Sequence, residues 1–152
     1  MKVIVTHPEH DEGRDYWDSL VSRAERLGVD LRSVPATGGE FPDLADAYAA
    51  ANLVMFPSLA EGFGNALLEA FYYRRPVVVN RYPVYSQDIA PTGVKCIELD
   101  GRLTPEVVET ASRWITKPNE AAEAVEVNYQ VGLNHFSYRV LHELVVPLFE
   151  PM

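Results

Sequence analysis

Short runs of β-branched and apolar residues alternate with longer amphipathic segments, and this alternation restricts the possible folds more than any other feature of the chain. Five of these runs are predicted strands, at residues 2–5, 30–34, 53–56, 76–79 and 95–99. Parallel strands need crossover connections, and a helix between successive strands supplies one. The pattern therefore predicts an α/β fold, with a parallel sheet and helices on both of its faces.

The predicted helices have recognisable starts and stops. Apolar residues recur at helical spacing between the first two strands, and Gly28 closes that segment. Further helices are predicted from Pro42, over residues 65–73, from a cap at Thr104, and over about residues 118–133 and 137–149. Ligands of parallel sheets bind beyond the C-terminal ends of the strands. The candidate binding loops therefore follow Val5, Val34, Phe56 and Val79.

Composition narrows the class of partner and the compartment. The chain of 152 residues has 13 Lys and Arg against 22 Asp and Glu, and its formal charge of −9 is spread along the sequence. This charge disfavours nucleic acid and anionic membranes as partners. The first residues lack the pattern of a secretory signal, and no apolar run approaches the ~20 residues of a transmembrane helix. We expect a cytoplasmic protein with a single domain over residues 1–152.

Two glutamates interrupt the apolar stretch PSLAEGFGNALLEA, residues 57–70. In one continuous helix, Glu61 and Glu69 would lie about 12 Å apart along the axis and roughly 80° out of phase, too far for an acid and base acting on one bond. Gly62 and Gly64 favour a helix that begins near Asn65 instead. Glu61 then lies in the loop after the third strand, at the edge where ligands bind.

The residue types around the glutamates indicate an oxygen-rich ligand. The backbone N–H groups of Gly62, Phe63, Gly64 and Asn65 would point out of a helix N-terminus, which favours phosphate or sugar oxygens. Glu69 has Tyr73 rather than a cation four residues later, and the two hydroxyls of a ribose would satisfy its carboxylate. An alternative is that Glu61 only complements the helix dipole and Glu69 pairs with Arg74, Arg75 or a distant cation.

Other polar residues are weaker candidates. His7, His10, Asp11 and Glu12 follow the first strand and have metal-binding side chains, but such a cluster in a polar loop is more often solvated. No metal site is predicted. Trp114 belongs to an apolar helix stripe and is expected in the core.

The motif PSLAEGFGNALLEA followed by PVVV resembles the Glu-x7-Glu signature of the retaining glycosyltransferases of family 4. The preceding DLADAYAAANLVMFPS and the later HFSYRVLHELVVPLF are similar to segments that flank this signature in the family. The resemblance implies a Rossmann-like parallel sheet, the C-terminal half of a GT-B fold. It also implies a nucleotide-diphospho-sugar as substrate, transfer of a hexosyl group with retention to a hydroxyl acceptor, and no obligatory metal or other cofactor.

The resemblance also assigns roles to residues. Glu61 would be the catalytic carboxylate near the hexose, and Gly62, Phe63, Gly64 and Asn65 would contact sugar hydroxyls and the diphosphate. Glu69 would hold the ribose hydroxyls. Backbone near Val34 would hold part of the base.

The chain departs from the family in two places. After PVVV it has NRYPVYSQDI where the family has a glycine-rich turn, and Arg81 in this turn is a candidate to offset the diphosphate charge. The resemblance also implies an N-terminal acceptor domain, and a first strand and helix with a basic loop, that are not among these 152 residues. We therefore expect the donor-binding fragment of a two-domain enzyme, inactive alone and completed by a missing domain or partner chain. A non-catalytic nucleotide or nucleotide-sugar binding module is the alternative, and a purely structural domain is a third possibility.

Overall fold

The computed structural model describes residues 1–6, 13–33 and 44–149, in two compact units, Met1–Ala50 and Ala51–Met152. In the first unit, β1 (Lys2–Val5) and β2 (Asp30–Ser33) pair in parallel. The crossover between them is α1 (Arg14–Leu27), and the unit also contains α2 (Leu44–Ala50). As predicted, Gly28 ends α1 in the left-handed conformation, with φ 64°.

The second unit contains three parallel strands, β3 (Val54–Phe56), β4 (Val77–Asn80) and β5 (Ile97–Leu99), in the order β3-β4-β5. Every residue of β4 is buried, as expected of a central strand of a parallel sheet. Phe56 pairs with Val79, and Asn80 pairs with Leu99. The C-terminal ends of the three strands therefore lie at one edge, and the loops that follow them lie there too.

Four helices accompany this sheet, α3 (Asn65–Tyr72), α4 (Pro105–Thr116), α5 (Ala122–His135) and α6 (Tyr138–Val145). The predicted cap at Thr104 is present, and its hydroxyl accepts a hydrogen bond from the Val107 N–H. Short helical turns cover Tyr85–Ile89, Ala90–Thr92, Pro118–Glu120 and Val146–Leu148. None of the helices in the described part of the chain combines the length and the apolar character needed to cross a bilayer.

The core of the second unit forms on the central strand. Val78, Ile97 and Leu99 cluster with residues of α4, and Trp114 is part of that packing, as predicted. The α3 residues Leu67 and Phe71 are buried as well. Strands that alternate with helices confirm the predicted α/β class.

Several boundaries differ from the predictions. The paired strands form two sheets rather than one, one in each unit. The strand predicted at residues 95–99 begins at Ile97, because the Lys95 backbone bonds to the Asn128 side chain instead of to a strand. The helix predicted over residues 118–133 is a short turn followed by α5. The assignment of residues 1–152 to one domain, a fragment of a two-domain enzyme, stays a prediction.

Candidate functional site

A cleft of about 370 Å³ opens at the C-terminal edge of the second sheet. It is lined by the end of β3, the loop after it and the first turn of α3, through Phe56, Glu61, Phe63, Gly64, Asn65 and Ala66. The structure thus brings together four of the predicted site residues, Glu61, Phe63, Gly64 and Asn65. The Glu61 side chain is exposed and Gly64 is buried.

The N-terminus of α3 faces this cleft, and the helix begins at Asn65 as predicted. Gly64 precedes it in the left-handed region, with φ 94°, and its carbonyl accepts hydrogen bonds from the N–H groups of Leu67 and Leu68. Within the described residues, the N–H groups of residues 62–65 donate to no protein acceptor. Such groups at the positive end of a helix are suited to binding an anion or a hydroxyl oxygen.

Glu69 lies on α3, four residues after Asn65, and is half-buried. A separation of four residues places it one turn along the same side of the helix, and helical side chains lean back toward the N-terminus. Glu69 and Gly62 are not among the residues that line the cleft.

Arg74 and Arg75, two of the cations that the alternative interpretation offered to Glu69, have other contacts in the structure. Arg74 forms an ion pair with Glu126 at 3.2 Å and lies 3.5 Å from the centre of the Tyr129 ring. Arg75 donates to the Tyr73 and Ala51 carbonyls. Both guanidinium groups are therefore committed to contacts outside the cleft.

Tyr82 lies beneath the loop, and its role was not predicted from the sequence. Its side chain is fully buried, and its hydroxyl donates to the Phe63 carbonyl at 2.9 Å. The ring is 5.9 Å from that of Phe56 and 5.8 Å from that of Tyr85. Burial, and secondarily the nearby Glu61 carboxylate, raises the pKa of Tyr82 to about 12. The sequence signal was the segment NRYPVYSQDI, in which Tyr82 falls where the family was expected to have a glycine-rich turn.

Asn80 connects the loops at this edge of the sheet and was also missed. It is buried at the end of β4, where its amide nitrogen donates to the Ser58 carbonyl at 3.0 Å. Its amide oxygen accepts from the Gly101 N–H at 2.8 Å. An asparagine that ends the apolar run PVVVN is the signal that could have found it, because a buried amide needs partners.

Arg81 lies at the predicted edge but has a carboxylate partner. Its guanidinium is 3.6 Å from Glu98, which also accepts a 2.8 Å hydrogen bond from the Tyr85 hydroxyl. The backbone N–H of Arg81 donates to the Leu99 carbonyl. Arg81 is not among the residues that line the cleft.

Phe63 has a second support from the end of α5. Its ring meets the ring of Phe136 edge to face, with centroids 5.6 Å apart. Phe63 is still 38% exposed. The loop is thus held from below by Tyr82 and laterally by Phe136.

Two predicted features lie outside the described residues, namely Val34 and the cluster of His7, His10, Asp11 and Glu12. In the ranges that the structure does describe, no three His, Cys, Asp or Glu side chains come together as a metal site requires.

The chain is similar in sequence to known glycosyltransferases. Residues 4–125 match the family model described as "Glycosyl transferases group 1". Mannosylglucosylglycerate synthase of Thermotoga maritima is 38% identical over 148 residues, which cover 88% of this chain and 35% of that protein. The enzyme of the same name from Petrotoga mobilis is 32% identical over 152 residues, 92% of this chain and 34% of that protein. The chain thus spans about a third of the length of these relatives.

The fold has a counterpart among solved structures. WaaG, a glycosyltransferase involved in lipopolysaccharide biosynthesis, superposes with a TM-score of 0.63 at 18% identity, over 99% of this chain and 38% of that one. At this level of identity the match concerns the fold, and it supports the predicted half of a GT-B architecture.

Proposed function

The chain belongs to the group 1 glycosyltransferases, and from that premise we propose that it is the donor-binding part of a retaining enzyme. The complete enzyme would transfer a hexosyl group from a nucleotide-diphospho-sugar to a hydroxyl acceptor. The observation that carries this proposal is the cleft at the end of the parallel strands, where Glu61 meets the N-terminus of α3.

The proposed roles follow from the chemistry of each group. The N–H groups of residues 62–65 bind sugar hydroxyls and the diphosphate, and Glu69 accepts hydrogen bonds from the ribose hydroxyls. Glu61 lies beside the hexose. The nucleotide base is held partly by backbone near Val34, which remains a prediction from the resemblance.

The same groups suit the chemistry of transfer. As the bond between sugar and phosphate breaks, negative charge grows on the leaving diphosphate and positive charge on the sugar ring. Preorganised N–H donors at a helix N-terminus stabilise the negative charge on the diphosphate. The Glu61 carboxylate stabilises the positive charge on the sugar ring. Arg81 would also stabilise the leaving diphosphate, after exchanging its contact with Glu98 for one with the diphosphate. No step in this scheme requires a metal ion.

The names of the relatives narrow the choice of donor. The two relatives that match most of this chain are named mannosylglucosylglycerate synthases, so a nucleotide-activated mannose is the first donor to test. The acceptor would be a hydroxyl of a sugar or sugar derivative. We propose that another domain or partner chain binds this acceptor, and that residues 1–152 alone bind the donor without transferring it.

A non-catalytic nucleotide or nucleotide-sugar binding module is the second candidate. It is favoured by the ion pair of Arg81 with Glu98. It is also favoured because the cleft, as far as the described residues form it, is lined by no Lys or Arg to neutralise a diphosphate.

Calorimetric titration with UDP-, GDP- and ADP-sugars tests the proposal. We expect the sugars of one nucleotide to bind. Glu69→Ala should lower the affinity for them at least about tenfold, because two hydrogen bonds from the ribose to a carboxylate are lost. Glu109→Ala is the matched control, since Glu109 is an exposed glutamate on α4.

Three outcomes would each contradict a different part of the proposal. If no donor binds, both ligand-binding functions are wrong, and unchanged binding by Glu69→Ala would refute the placement of the ribose. Release of free hexose or a glycosylated acceptor by residues 1–152 would contradict the proposal that this part only binds.

A further inference from the structure

The Tyr82 hydroxyl is a buried polar group whose described partner is one carbonyl of the candidate loop. Its ring is fixed between those of Phe56 and Tyr85, and its backbone N–H donates to the Asn80 carbonyl at 2.9 Å. The hydroxyl then reaches the Phe63 carbonyl, 19 residues away in sequence. Leaving a buried hydroxyl without a partner costs free energy. The hydrogen bond therefore holds the Phe63 carbonyl in place.

The hydrogen bond to the Phe63 carbonyl also fixes the direction of the Gly64 N–H, because both groups belong to one planar peptide. In a trans peptide the C=O of one residue and the N–H of the next point in opposite directions. The Phe63 carbonyl is turned inward to Tyr82, so the Gly64 N–H of the same peptide is turned away from Tyr82. Gly64 lines the cleft, and Tyr82 does not.

The close approach of Gly64 and Tyr82 favours glycine at position 64. A Cβ atom on Gly64 would collide with the Tyr82 hydroxyl, and Gly64 also has a φ of 94°. With its pKa raised to about 12, the Tyr82 hydroxyl remains a protonated donor at neutral pH.

We propose that Tyr82 is a positioning residue of the site: its hydrogen bond to the Phe63 carbonyl aims the Gly64 N–H at the diphosphate or sugar of the donor. The inference rests on the donor-binding function proposed above. It assigns to Tyr82 the orientation of the loop that precedes α3.

Titration of Tyr82→Phe with two ligands tests the effect on binding. The substitution keeps the ring and removes only the donor. We expect the nucleotide-sugar to bind about three- to tenfold more weakly, and the nucleoside monophosphate, which lacks the second phosphate and the sugar, to bind within about twofold of the wild type. Unchanged affinity for the nucleotide-sugar, or an equal loss for both ligands, would overturn the proposal.

A measurement without ligand separates this proposal from the function on which it rests. The amide nitrogen of Gly64 belongs to the peptide that Tyr82 holds, so Tyr82→Phe should shift its NMR resonance strongly. The matched control is Tyr85→Phe, which removes another buried hydroxyl, one that donates to Glu98 instead. We expect a comparable loss of stability in the control but a Gly64 resonance that stays in place.

The two readouts fail in different ways. If the wild type binds no nucleotide-sugar, the donor-binding function is wrong whatever the Gly64 resonance shows. If the wild type binds but Tyr82→Phe leaves the Gly64 resonance unmoved, Tyr82 does not position the loop and the proposal is wrong.

Discussion

Gly62 and Gly64 are separated by one residue, yet the structure requires them to be glycine to very different degrees. A Cβ on Gly64 would collide with the Tyr82 hydroxyl and approach the Phe56 ring to 3.4 Å, at a φ that L side chains rarely adopt. A Cβ on Gly62 would meet nothing within 4 Å. The glycine that defines the loop is therefore Gly64.

Gly64→Ala should lower the free energy of unfolding by about 2–4 kcal/mol, because it combines backbone strain with a clash. Gly62→Ala, the matched control, should change it by less than about 1 kcal/mol. Urea unfolding followed by circular dichroism measures both.

A double variant identifies the contact that causes the loss. Gly64→Ala combined with Tyr82→Phe should recover part of the stability that simple additivity would remove, because the clashing hydroxyl is gone. Strict additivity, or equal losses from the two glycine substitutions, would contradict the assigned contact.

The sequence predicted the residues of the loop but not what lies beneath them. Glu61, Phe63, Gly64 and Asn65 were recognisable because glycines, a carboxylate and a helix start are local signals. Tyr82 and Asn80 reach the loop only because β3 and β4 are neighbours in the sheet. A contact that depends on strand pairing has no local signature in one sequence.

At the scale of elements, periodicity predicted the type of each described helix and strand better than its ends. The start of β5 shows why. Asn128 on α5 is fully buried, and its amide oxygen accepts from the Lys95 N–H while its amide nitrogen donates to the Lys95 carbonyl. The Asn128 side chain thus makes the hydrogen bonds to the Lys95 backbone that a neighbouring strand would otherwise make. A pattern of apolar residues does not reveal such a side-chain contact.

Asn128→Ala should therefore destabilise the fold by about 2–4 kcal/mol, because it leaves two buried backbone groups of Lys95 without their side-chain partner. The control is Asn134→Ala on the same helix, where the side chain is exposed and the expected change is within about 0.5 kcal/mol. Chemical unfolding measures both variants. Similar losses for the two asparagines would show that the bond between α5 and Lys95 is not a principal contact.

At the scale of the molecule, a cysteine thiol and two buried tyrosine hydroxyls of the second unit all have raised pKa values. Burial raises the pKa of Cys96 from 9.0 to about 12 and that of Tyr82 from 10.0 to about 12, and it raises the pKa of Tyr85 as well. In the unfolded chain these groups return to ordinary values. The folded state therefore holds protons that the unfolded state releases at alkaline pH.

Stability should accordingly be independent of these groups below about pH 9 and fall as the pH rises above it. The Cys96 thiol is the first of the three to ionise in the unfolded chain, because its pKa there is the lowest. Its ionisation alone should lower the free energy of unfolding by about 1 kcal/mol between pH 9 and 10. Repulsion within a chain of formal charge −9 adds a background loss as lysines deprotonate. That background is the same in a variant that lacks the thiol.

Cys96→Ala isolates the contribution of the thiol from this background. Urea unfolding at constant ionic strength, at several pH values from 7.5 to 10.5, should give a loss between pH 9 and 10 that is smaller by about 1 kcal/mol than in the wild type. Above about pH 10 the two curves should both steepen, because Tyr82 and Tyr85 titrate in either unfolded chain. Parallel curves between pH 9 and 10 would mean that Cys96 ionises as readily in the folded protein as in the unfolded one.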